Sequence, residues 1–74
     1  MTREEAIAQA HALAKQKGQP AAVFQRFLPR GTAVNDFSIQ TLYEEVPKAP
    51  YVHVMTVSVT GLERKHGPWA EGAA

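Results

Sequence analysis

Lys17-Gly18-Gln19-Pro20-Ala21-Ala22-Val23-Phe24 is the stretch at which the chain changes its hydrophobic period, and the fold is read outward from it in both directions. Toward the N-terminus the apolar residues Ala6, Ile7, Ala10, Leu13 and Ala14 fall on one face at 100° per residue, the mark of an amphipathic helix. Thr2 followed three positions later by Glu5 predicts a capping box at its start. Glu4 and Glu5 in the first turn and Lys15 and Lys17 in the last follow the helix dipole. Gly18 suits a left-handed C′ position, and Pro20 blocks continuation. The stripe consists largely of alanine, so this helix should lie close against a flat sheet rather than form a coiled coil.

Toward the C-terminus the period falls to two. Residues 22–28 form a first β-rich run, ended by the turn signal Pro29-Arg30-Gly31-Thr32, which suggests a hairpin. Residues 37–43 form a second, residues 44–50 a loop held by Pro47 and Pro50, and residues 51–60 the longest run. The expected fold is α+β: an N-terminal helix on one face of a three-stranded antiparallel meander (α-β-β-β). Residues 1–61 make one domain, and residues 62–74, with Gly67-Pro68, Gly72 and terminal alanines, make a frayed or loosely docked tail.

One helix covers one face of such a sheet, yet the strands carry apolar side chains on both. Val23 and Phe27 oppose Phe24 and Leu28; in the third run Tyr51, His53, Met55 and Val57 share a parity opposite to Val52 and Val54. A β-bulge would flip parity and return several of them to one core. Otherwise the uncovered face meets a partner, with the third run as an open sheet edge. The interface residues expected on that reading are Phe24, Leu28, Tyr51, His53 and Met55, rimmed by Arg26 and Arg30.

The 74 residues carry eight Lys+Arg against seven Asp+Glu, a net charge of +1, and no cysteine. Disulfides and thiolate zinc sites are thereby excluded. No apolar run is long enough to span a membrane and the N-terminus lacks the order of a secretory signal, so a cytoplasmic location is expected. Catalytic groupings are missing as well. Ser38 and Ser58 lie in no nucleophile elbow, and adjacent Glu44 and Glu45 point apart if extended. The five glycines are isolated rather than gathered in a phosphate loop. A metal site would need His11, His53 and His66 to converge, so neither a metal nor any other cofactor is expected.

The sequence thus points to a non-enzymatic module that binds a protein partner or homodimerises. In general appearance it is similar to many small accessory proteins of bacteria, phages and mobile elements, whose commonest action is to bind and block a larger protein. The competing reading is nucleic-acid binding by Arg26, Arg30, Lys48, Arg64 and Lys65 with interleaved aromatics such as Phe27 and Trp69. The near-neutral charge balance weighs against it.

Overall fold

The computed structural model describes residues 1–26, 36–47 and 51–67. Helix α1 spans Arg3–Lys17, followed by strands β1 (Ala21–Arg26), β2 (Phe37–Thr41), β3 (Tyr51–Val57) and β4 (Glu63–Lys65). The α+β class and the helix-on-sheet packing are those expected. The capping box is complete: Glu5 N–H donates to Thr2 Oγ1 at 3.2 Å and Thr2 N–H donates to Glu5 Oε1 at 2.8 Å. The backbone bond from Thr2 holds the Glu5 carboxyl below its usual range. Gly18 closes the helix at φ +64°, its N–H donating to the Ala14 carbonyl at 2.9 Å. Ala6, Ala10 and Ala14 are buried along the seam, so the helix approaches β1 and β2 closely.

The sheet differs from the expected meander. It has four strands in the order β2-β1-β3-β4, every neighbouring pair antiparallel. β1 is central, and its residues 21–25 are all buried. The apolar β3 pairs with that buried strand, whereas β2, which is only half-buried along most of its length, takes an edge. Burying the two most apolar strands together outweighs the preference for pairing sequential neighbours. β3 is therefore not the open edge expected of it; β4 covers Met55, Thr56 and Val57. That fourth strand comes from Glu63–Lys65, a segment expected to belong to the tail.

A register shift between Val23 and Phe24 marks a bulge in β3: Val23 faces Met55 while Phe24 faces His53. Val54 is the extra residue and is buried. The bulge divides a set of side chains that simple alternation puts together. Met55 and Val57 join the helix-side core with Ala6, Ala10, Ala14, Ala21 and Val23, whereas His53 and Tyr51 align with the other parity of β1.

Candidate functional site

The register defines the side of the sheet away from the helix. Ala22, Phe24 and Arg26 of β1 lie there with Ser38 and Gln40 of β2, Tyr51, His53 and Thr56 of β3, and Arg64 of β4. Of the residues expected at an interface, Phe24, Arg26, Tyr51 and His53 share this side. Met55 does not: it is 2% exposed in the core beneath the helix, because the bulge turns it there. Phe24 is on the far side but only 4% exposed, with the His53 ring stacked on it at 4.9 Å. Neither is an accessible anchor. Leu28 and Arg30 lie outside the described residues.

Two polar clusters occupy this side. In the first, Asp36 holds Arg26 and Tyr51 together: Arg26 Nη1 lies 3.3 Å from Asp36 Oδ2 and the Tyr51 hydroxyl donates to Asp36 Oδ1 at 2.8 Å. Donation to the carboxylate raises the Tyr51 pKa, so the phenol stays protonated.

The second cluster joins β3 to β4. The rings of His53 and His66 lie 4.1 Å apart, and Thr56 Oγ1 sits 2.9 Å from Nε2 of His53 and 2.6 Å from Nε2 of His66. Nε2 of His53 also lies 3.0 Å from the Met55 carbonyl, which only accepts. That carbonyl fixes the proton on Nε2 of neutral His53. The consistent chain of donation then runs from His53 to Thr56 and from the Thr56 hydroxyl to His66. His66, in the segment expected to be a frayed or loosely docked tail, is exposed but held through this ring stack and by its backbone N–H, which donates to the Val54 carbonyl at 3.1 Å. The third histidine, His11, is elsewhere: its Nε2 lies 2.7 Å from Glu63 Oε2, tying the helix to β4.

Burial, with the neighbouring His66 second, lowers the His53 pKa, and the Met55 carbonyl opposes the shift. The folded state thus favours neutral His53, whereas the unfolded chain takes up a proton near the ordinary histidine value of about 6.5. The stabilisation is complete above that value and is lost as pH falls through it toward the lower folded value. Urea midpoints of the wild type should fall between about pH 7.5 and about pH 5.5 more than those of His53→Gln. Equal falls in the two proteins would remove His53 as the cause.

Apolar exposure gathers instead at one end of the sheet. Thr41 and Val57 both pair with Ala21, so the turn after β2 and the β3–β4 turn flank the start of β1. The first turn presents Leu42 and Tyr43, the latter 76% exposed, with Val46 exposed just beyond. The second presents Val59 and Leu62, the latter 74% exposed. Two strand spacings, about 10 Å, separate the two strand ends. The β3–β4 turn is held by Ser58, which accepts from Gly61 N–H at 3.0 Å through its carbonyl and from Leu62 N–H at 3.0 Å through its hydroxyl. Gly61, at φ +93°, takes a conformation that side-chain-bearing residues rarely adopt.

The chain matches no family model, no curated protein and no solved structure.

The basic residues do not form one surface among the described residues. Arg26 is engaged by Asp36, while Arg64 and Lys65, opposite Thr56 and Met55 respectively, point to opposite sides of the sheet. Lys48 lies outside the described residues. A shallow, open groove of about 280 Å³ between α1 and β2 is lined by Gln9, Ala12, Leu13, Gln16 and Ile39, none of them an acid, base or nucleophile. No helix among the described residues is long and apolar enough to cross a membrane.

Proposed function

We propose that this chain is a non-enzymatic binding module that works in the cytoplasm and associates through the apolar end of its sheet, with a second copy of itself as partner. The observation that carries this reading is the grouping of Leu42, Tyr43, Val59 and Leu62, all exposed, at one end of a sheet in which, among the described strand residues, Val52 is the other exposed large apolar side chain. Leaving a large apolar side chain in water forgoes about 1.5–3 kcal/mol relative to burying it. Two turns presenting four such groups within a short span favour association over isolated exposure. A two-fold arrangement, in which the same patch meets itself, is the commonest way for a small chain to cover such a surface.

This reading keeps the mode of action expected from the sequence and moves its location. Phe24 and Met55 hold the fold together, and the contact surface lies on the turns. Backbone amide NMR of the wild type over a concentration series tests the location. The largest concentration-dependent shifts should fall in residues 42–46 and 58–62. Shifts confined to Ser38, Gln40, Tyr51 and Arg64 would transfer the contact to the far side of the sheet and overturn the assignment.

A further inference from the structure

The cluster at His53, Thr56 and His66 is built more tightly than a surface pair of histidines. The β3–β4 turn is fixed by the Ser58 hydrogen bonds, and the backbone of His66 is held by the Val54 carbonyl. Phe24 supports the His53 ring from beneath, and both Nε2 atoms lie within hydrogen-bonding distance of one hydroxyl. The Met55 carbonyl is a second oxygen at 3.0 Å from Nε2 of His53. Two imidazole nitrogens and two neutral oxygens therefore converge on one region at the open side of a hairpin.

We propose that His53 and His66 form a two-imidazole site for a divalent d-block cation of the zinc and copper class, with the Thr56 hydroxyl, the Met55 carbonyl and water available to complete its coordination. The donor set decides the class of ion. Imidazole suits Zn²⁺, Cu²⁺ and Ni²⁺, whereas Mg²⁺ and Ca²⁺ want several carboxylate oxygens. Among the described residues no group of three or more His, Asp and Glu gathers, so the site has only two strong protein ligands and keeps positions open to solvent. Arg64, opposite Thr56 on β4, adds positive charge on this side. Attraction therefore rests on the nitrogen lone pairs rather than on opposite charge.

Ligation needs a lone pair on each Nε2. His66 already presents one to the Thr56 hydroxyl; in His53 the ring proton moves from Nε2 to Nδ1, and the cation replaces that proton between the nitrogen and its two oxygen neighbours. No net proton is released from neutral rings. The ion would also cross-link β3 to the residue that follows β4, at the open end of the hairpin, away from the turn that carries Val59 and Leu62.

The test is titration of the full chain with Zn²⁺ alone near pH 7.5, followed by calorimetry and by long-range ¹H–¹⁵N spectra of the histidine rings. One equivalent should bind, with the rings of His53 and His66 shifting together and that of His11 unmoved. His66→Asn, a change at an exposed residue, and His53→Gln should each weaken binding at least tenfold, while His11→Asn leaves it unchanged. Absence of binding at millimolar Zn²⁺ would overturn the proposal. So would binding that His66→Asn does not weaken, or ring shifts led by His11. Since His53 touches Phe24, His66→Asn is the deciding variant should His53→Gln lose its fold.

Discussion

Phe24→Asp is expected to unfold the protein, not to yield a folded chain that has lost only its capacity to associate. Phe24 is 4% exposed on the central strand and lies under the His53 ring. Truncating a buried phenylalanine to alanine already costs about 3–5 kcal/mol. A carboxylate at the same place adds the penalty of a buried charge without a cationic partner. The whole stability of a chain this long is about 4–11 kcal/mol. Far-UV circular dichroism should show no cooperative thermal transition for Phe24→Asp, and Phe24→Leu should retain one at a lower temperature. A Phe24→Asp protein that melts like the wild type would mean that the residue faces solvent, as alternation alone suggests.

The helix seam gives the second large effect. Ala6, Ala10 and Ala14 are buried between α1 and the sheet, and Ala10 is fully enclosed. Leucine at position 10 adds three carbon atoms where no room remains, so the helix must lift or its neighbours must leave their preferred rotamers. Overpacking of this kind costs about 1–3 kcal/mol. Ala8→Leu places the same side chain on an exposed position of the same helix, where about ±0.5 kcal/mol is expected. Urea denaturation of the pair separates packing from helix propensity, which is the same for both. Equal midpoints for the two variants would contradict a close alanine seam.

How legible each part was follows from how local its signals are. The helix is fully written in neighbouring residues: Thr2 and Glu5 cap it, Gly18 ends it, and the alanine stripe names its buried face. The strands β1, β2 and β3 are visible as β-rich runs for the same reason. Their order is not, because it depends on which pairing buries most surface between segments far apart in sequence, and that choice puts β1 rather than β2 in the centre. Glu63-Arg64-Lys65 shows no apolar alternation at all; it becomes β4 because the Ser58 to Leu62 turn returns it alongside Met55, Thr56 and Val57.

The site was less legible than the fold. A single extra residue, Val54, reverses the parity of β3, sending Met55 to the core and leaving His53 on the far side with Tyr51. No residue near it announces the bulge, although the apolar character of both parities is its trace. His53 and His66 are thirteen positions apart in the sequence and meet only through the hairpin register, so spacing rules for metal ligands could not find them. The apolar end was hidden differently. Leu42 and Tyr43 read as the last positions of a strand and Leu62 as the start of a tail, whereas β2 stops at Thr41 and leaves both Leu42 and Tyr43 in a turn. A strand that ends two residues early changes a covered side chain into an exposed one.

The most exposed of the large apolar residues described lie at the end of the sheet rather than on its face. Interfaces concentrate their energy in a few large side chains, and Tyr43 and Leu62 are the two most exposed of the large apolar residues described. Substituting both for glutamate leaves the core untouched while placing like charges on both sides of the proposed two-fold contact. The measurement that tests association most directly is light scattering on a sizing column, from high to low micromolar concentration, of the wild type and of the Tyr43→Glu/Leu62→Glu variant. The wild type should approach twice its 8.1 kDa at the high end and fall toward 8.1 kDa on dilution, with the variant monomeric throughout and equally stable to heat. A wild type that stays at 8.1 kDa at every concentration, or a double variant that still dimerises, would contradict the account.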